Sequence, residues 1–333
     1  ERTIQRFINI LQNEKPDVIH IWGTEHLHSY AMTVAGKRLG IDKKMVISIQ
    51  GMVSYYSSHY MACMPKKNQE LVTLRDLIRR DSMKLQQKNM ERRGRFEIEA
   101  IKNVGHVIGR TNWDYICTKL INDNVKYHFN NETLRESFYE DEWLLNKCER
   151  YSIFVSQAQT PIKGFHFVLE AASLLAKKYP LLKIYIAGGE KPLDNSYRAR
   201  GYSKFLAHLC DRYNLNNVIT CVGNLSEREM KRQFLKTHIY INASSIENSP
   251  NSVGEAMILG VPTIASYVGG TSDILRDKKD GFLYPYDEPY MLAGYIDMIF
   301  SDDSLAQNFS KSARSHAMIT HDREQNYQKL INI

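Results

Sequence analysis

Two hydrophobic rhythms alternate along the chain: short aliphatic runs rich in β-branched residues, and longer stretches whose apolar positions fall three and four apart. The runs at 17–21, 45–49, 104–108, 125–129, 153–155, 183–187, 218–222, 239–243 and 261–265 read as strands. The stretches at 30–39, 113–121 and 165–179 read as helices. Strands and helices in strict alternation then predict an α/β chain built on doubly wound parallel sheets.

The rhythm is densest between Ile239 and Thr271, where a strand, a polar loop, a short helix and a second strand follow one another. Ser249 suits the N-cap of that helix and Pro250 its first position, where a missing N–H costs nothing. Gly260 closes it. A parallel βαβ unit places such a loop at the carboxyl edge of its sheet, where open α/β sheets bind ligands. The backbone N–H groups of Asn251, Ser252 and Val253 would point at a ligand there, and the helix dipole favours an anion. Glu247 and Glu255 frame this site. Glu255 does not stand where a capping glutamate would, at Ser252. Carboxylates accept hydrogen bonds from vicinal hydroxyls, so the pair could flank a diphosphate that carries a ribose and a sugar. The plain alternative is two surface acids favoured by a helix N-terminus.

With 333 residues, 43% of them hydrophobic and 24% charged, the chain suits two ordinary globular domains. No apolar run reaches the roughly eighteen residues that a membrane span needs. The opening ERTIQRFINI is amphipathic and charged, unlike a signal peptide. Five scattered cysteines form no C-x-x-C pair, which favours a reducing cytoplasm. The net charge of +7 concentrates in the basic stretch 66–102, where Leu71, Leu74, Leu77 and Ile78 have helical spacing and one long helix is expected. Its readings are a solvated helix face or a patch leaning on anionic headgroups. Nucleic acid is not expected, because aromatic interleaving is missing. Gly188-Gly189-Glu190 ends the run 183–187 without a G-x-G-x-x-G fingerprint, so a dinucleotide oxidoreductase is not expected either. His26 and His28 lack a third metal ligand at helical spacing.

Glu247 and Glu255, with Ser244, Ser245, Pro250, GEAMILGVPTIAS and the following VGGT, resemble the E-x7-E signature of the family-4 retaining GT-B glycosyltransferases. The longer SSIENSPNSVGEAM is similar to the branch that builds bacterial capsular and exopolysaccharides. The resemblance implies two Rossmann-like domains facing across a cleft, 1–150 on the acceptor side and 151–333 binding the nucleotide sugar. It also implies that the first domain lacks its N-terminal portion, roughly seventy residues judged by domain size. Glu255 would hold the ribose hydroxyls and Glu247 the transferred sugar, with Lys163 neutralising the diphosphate. Ser249, Asn251, Ser252, Val253, Gln157, Gly188, Gly223 and Asn224 would complete the donor site. Glu25, Arg110 and Asn131 would face the acceptor, and Glu132 and Arg135 would line the cleft beside them.

Three departures from the family pattern stand out. Asn248-Ser249 replaces Gly-Phe, Gln157 stands where an arginine is usual, and Gln50 stands where a histidine is usual. A glutamine cannot shuttle a proton, so Gln50 is expected to orient substrates by hydrogen bonds alone. No metal or cofactor is expected beyond the nucleoside-diphosphate sugar itself. The implied partners are that donor, a glycan or lipid-linked saccharide acceptor and an anionic membrane surface touched peripherally, in the cytoplasm or on the inner face of the membrane. A GT-B nucleotide-sugar epimerase and a non-catalytic nucleotide-sugar-binding subunit remain as alternatives.

Overall fold

The computed structural model describes residues 1–188 and 192–333, so Gly189 and Glu190 lie outside the described residues. Ten strands appear among them: β1 (Ile19–Trp22), β2 (Met45–Ser48), β3 (His106–Gly109), β4 (Lys126–Phe129), β5 (Glu149–Val155), β6 (Lys183–Ala187), β7 (Ile219–Gly223), β8 (Thr237–Asn242), β9 (Thr263–Ser266) and β10 (Gly281–Tyr284). They form a sheet ordered β1-β2-β3-β4 and a sheet ordered β10-β9-β8-β5-β6-β7. The described pairings are all parallel. Every residue of β2, β8, β9 and β10 is buried, as expected of parallel strands covered on both faces. In the second sheet the chain first winds outward from β5 to β7, then returns to β8 on the other side of β5. The strand order therefore reverses between β5 and β8, and the crevice at their carboxyl ends is the expected ligand position.

The basic stretch departs from the single helix its spacing predicts. It breaks into helices Lys66–Gln69, Leu74–Arg79 and Met83–Lys102. Thr73 starts the second helix with a full capping box closed by Asp76, and Ser82 caps the third. The apolar positions also face the other way from a core stripe. Leu74, Leu77 and Ile78 are 62%, 65% and 73% exposed, whereas Asp76 is buried.

The two cores do not follow chain order. Tyr60, Met61, Met64 and Met83 pack among Phe165, Tyr202 and Leu206 in the core of the second sheet. His166, fully buried there, bonds the carbonyl of Ala62 through Nε2 (2.9 Å) and the Tyr202 hydroxyl through Nδ1 (3.0 Å). Burial pushes its pKa down to about 4, so the ring is neutral. At the other end the helix Arg323–Ile331 returns to the first sheet, where Asn326, Tyr327 and Leu330 line a hollow with Trp22. Among the described residues no helix is long and apolar enough to cross a membrane.

Candidate active site between the two sheets

β5 runs out at Val155 into Ser156 and Gln157, and β8 runs out at Asn242 into Ala243 and Ser244. These residues line a cavity of about 360 Å³ at the point where the strand order reverses. Two loops carry charge into it. After β5 a 3-10 turn, Pro161–Lys163, ends at Gly164, whose φ of 64° places it in the left-handed region. A Cβ there would meet the carbonyl oxygen of Ala243 at 1.9 Å, so only glycine lets the Lys163 turn lie against the end of β8. After β8 the loop to the next helix carries Glu247. Gly269 and Gly270 brace it from behind: the Gly270 N–H donates to the Glu247 carbonyl (3.1 Å), and Gly269 has φ 51°.

Around the cavity each carboxylate is met by a cation. Lys163 Nζ donates to Glu247 Oε1 at 2.6 Å, and the Ser244 hydroxyl donates to the same oxygen at 2.7 Å. Arg135 holds Glu255 with both Nε and Nη2 at 2.7 Å, its guanidinium stacked 4.4 Å from the Phe138 ring. Burial raises the Glu255 pKa and Arg135 works against that rise. Arg110 is only 4% exposed; it pairs with Glu132 and donates to Gln50 Oε1 at 2.9 Å. Burial lowers the Arg110 pKa, opposed by Glu132. Gln50 in turn donates to Glu132 at 2.8 Å. Asp114 accepts from the backbone N–H of Arg110 (3.0 Å).

The short helix spans Asn251–Leu259, with Pro250 at the N-cap, one residue later than the sequence suggests. The Val253 N–H donates to the Pro250 carbonyl (2.9 Å), and the Val253 side chain is fully buried. The cavity is therefore lined at this end by Ser249, Pro250, Asn251 and Ser252. An anion entering here would meet the opening of that helix and three cations. Each carboxylate so released would be able to accept hydroxyls.

Of the residues singled out from the sequence, Glu247, Lys163, Gln50, Glu255, Asn251, Ser252, Ser249, Gln157 and Arg110 line this cavity. Val253, Gly188, Gly223 and Asn224 are not among its lining residues. The Gly188 N–H donates to the Gly223 carbonyl (2.8 Å) at the far end of the sheet, and Asn224 is exposed. Asn131 lines the adjoining hollow of about 460 Å³ with Trp22 and Tyr327. Glu25 sits apart, in a surface hollow with His26, His28 and Arg93.

Sequence reasoning missed how the cleft is fastened. Asn248 accepts from the Thr111 hydroxyl (2.7 Å) and donates to buried Asp114 (2.9 Å), while Asn112 bonds Asp273 through backbone (2.8 Å) and side chain (2.9 Å). The one available signal was the replacement of Gly-Phe by Asn248-Ser249.

Comparison with known proteins adds to this geometry. The pattern of the family described as "Glycosyl transferases group 1" matches residues 136–316. A D-inositol 3-phosphate glycosyltransferase of Jonesia denitrificans is 27% identical over 50% of this chain and 38% of its own length. A poly(ribitol-phosphate) alpha-N-acetylglucosaminyltransferase of Staphylococcus aureus is 25% identical over 52% of this chain and 33% of its own. The matches thus span well under half the length of these relatives. Among solved structures, sucrose-phosphate synthase of Thermosynechococcus elongatus superposes with a TM-score of 0.72 at 16% identity, covering 99% of this chain and 77% of that one. Anabaena HepE in complex with UDP and glucose superposes with 0.71 at 14% identity, covering 99% and 80%. At these identities the likeness is one of fold.

Proposed function

The chain belongs to the glycosyl transferases group 1 family and has the GT-B fold, and on that premise we propose that it transfers a sugar from a nucleoside diphosphate to a glycan or lipid-linked saccharide acceptor. The finer reading is transfer with retention of configuration and without a metal ion, in bacterial surface-polysaccharide assembly. The observation that carries it is the convergence of Lys163, Glu247, Glu255 and the opening of the helix Asn251–Leu259 on one cavity at the strand-order reversal. A solved neighbour that holds UDP makes UDP the first nucleotide to test.

In this reading the diphosphate lies between Lys163 and the amides of Asn251 and Ser252. Glu255 takes the ribose hydroxyls and Glu247 those of the sugar. The acceptor oxygen attacks the anomeric carbon as its bond to the phosphate oxygen breaks. The bonding electrons pass to the diphosphate, and one of its oxygens takes the acceptor proton on the same face. Charge therefore builds on the leaving group, and Lys163 and the helix opening stabilise it; one such contact is commonly worth about 3 kcal/mol in the transition state. Gln50, fixed by Arg110 and Glu132, orients without exchanging protons.

Thermal melts with UDP, GDP and ADP test the binding step: a ligand at a hundred times its dissociation constant adds about 2.7 kcal/mol. No shift with any of the three overturns the reading. Turnover with a panel of UDP-sugars then separates transfer from binding alone. Lys163→Met is expected to lower kcat about a hundredfold or more, and a variant that turns over normally would remove lysine from the mechanism.

A further inference from the structure

Transfer chemistry makes no use of the basic stretch between β2 and β3, and there the fold exposes what it would ordinarily bury. The helix Leu74–Arg79 is mounted inside out. Its acid, Asp76, is 2% exposed, while Leu74, Leu77 and Ile78, with Val72 just before them, stand in solvent. The orientation is fixed on the polar side. Asp76 accepts from the backbone N–H of Thr73 (3.1 Å) and of Gly201 (3.0 Å), and Asp81 is paired with both Arg75 (3.1 Å) and Arg200 (3.2 Å). Turning the aliphatic side chains inward would carry Asp76 out to solvent and leave the buried Gly201 N–H without its acceptor, so the exposed face is a built feature.

Its surroundings say what covers it. Arg79 and Arg80 extend the helix end into solvent and form no ion pair among the described residues, and Lys66 and Lys67 are exposed in the preceding helix, Lys66–Gln69. Across a shallow hollow of about 830 Å³ stand Tyr197, 68% exposed, and Arg198, whose guanidinium lies 5.2 Å from the Tyr197 ring. The acids near the hollow, Asp76 and Asp81, are already committed. The result is an aliphatic tip ringed by uncompensated cations and an aromatic ring. A second copy would bring like charge against it, and nucleic acid would leave the aliphatic tip in water. An anionic lipid surface satisfies both halves, apolar into the acyl boundary and cationic onto the headgroups.

We propose that this face docks the protein on an anionic bilayer, with Leu74, Leu77 and Ile78 entering the interface and Arg79, Arg80 and Arg198 engaging phosphate headgroups. Docking needs neither donor nor turnover, so it stands or falls separately from the transfer reaction.

Flotation of the whole chain with vesicles tests it. The protein should float with phosphatidylcholine vesicles that contain phosphatidylglycerol, stay behind with phosphatidylcholine alone, and lose binding as salt rises. The double variant Leu77→Ser, Ile78→Ser should bind at least about tenfold more weakly. Arg79→Glu with Arg80→Glu should abolish the preference for anionic vesicles. A tryptophan introduced by Leu77→Trp should shift its fluorescence to the blue on adding those vesicles. All four substituted positions lie on the surface, and unchanged melting temperatures establish that the variants fold. A wild-type protein that does not float, or variants that float equally well, overturns the proposal. So does a dimer in solution that Ile78→Ser dissolves without any vesicle binding, which would assign the face to a second copy.

Discussion

Glu255 illustrates how much a single side chain carries here. Its carboxylate is 8% exposed and both oxygens are held by Arg135, a residue 120 positions earlier. Burial raises its pKa above the usual value, so the folded chain holds that proton more tightly than the unfolded one. The stability this gives is present below the ordinary carboxylate pKa and lost as pH rises through the folded value. Above it the buried charge is tolerable only through Arg135. Arg135→Met should therefore destabilise by about 2 kcal/mol at about pH 8 and by less at about pH 5; melts that show the same deficit at both would contradict this. By calorimetry, Glu255→Ala should weaken nucleotide binding more than Asn224→Ala, since Asn224 is exposed beyond β7; equal losses would refute the ribose assignment. The two glutamates stood out through the family signature around them, since their spacing alone also suits two surface acids at a helix start. Their partners were not, because nothing local links position 135 to position 255.

Single elements show the same division. Lys183–Ala187 is a strand in both sequence and structure, because a short aliphatic run in a parallel sheet's interior has few alternatives. The stretch 66–102 misled because helical spacing shows which residues share a face and not which way that face points. Tertiary bonds to Asp76 decided the direction. The helix at Asn251 begins one residue later than Ser249 and Pro250 suggest, with the Pro250 carbonyl taking the first amide bond. Positive φ is a harder constraint. A Cβ on Gly269 would lie 1.9 Å from the Glu247 carbonyl oxygen, so Gly269→Ala must displace the backbone that carries Glu247. We expect a loss of about 2 kcal/mol or more in urea melts, with lower turnover; a variant with wild-type stability and activity would show that this loop yields freely.

For the molecule as a whole, the reversal of strand order at β5 could be anticipated only in general form, since periodicity predicts parallel strands without their neighbours. How the halves meet was barely legible: it rests on polar side chains such as Asn248, marked only as a departure from the family pattern, and Asp273, which on sequence alone looks like an ordinary loop residue. Asn248→Gly removes two bonds across the cleft and takes one donor from buried Asp114, whose pKa burial already raises. It should cost about 1–2 kcal/mol in urea melts and enlarge the radius of gyration in solution scattering without nucleotide. No change in either would mean that other contacts hold the halves together.

The interleaving of the two cores also shapes how the chain is made. Ala62 and its partner His166 are 104 positions apart, so at ordinary elongation rates the segment around Tyr60 waits about 5–20 s before the ribosome delivers the wall it packs against. Until then a methionine-rich, oily ribbon stays unpacked outside the ribosome, the kind of segment a chaperone binds, and a stalled translation product ending before Phe165 would be a sticky species.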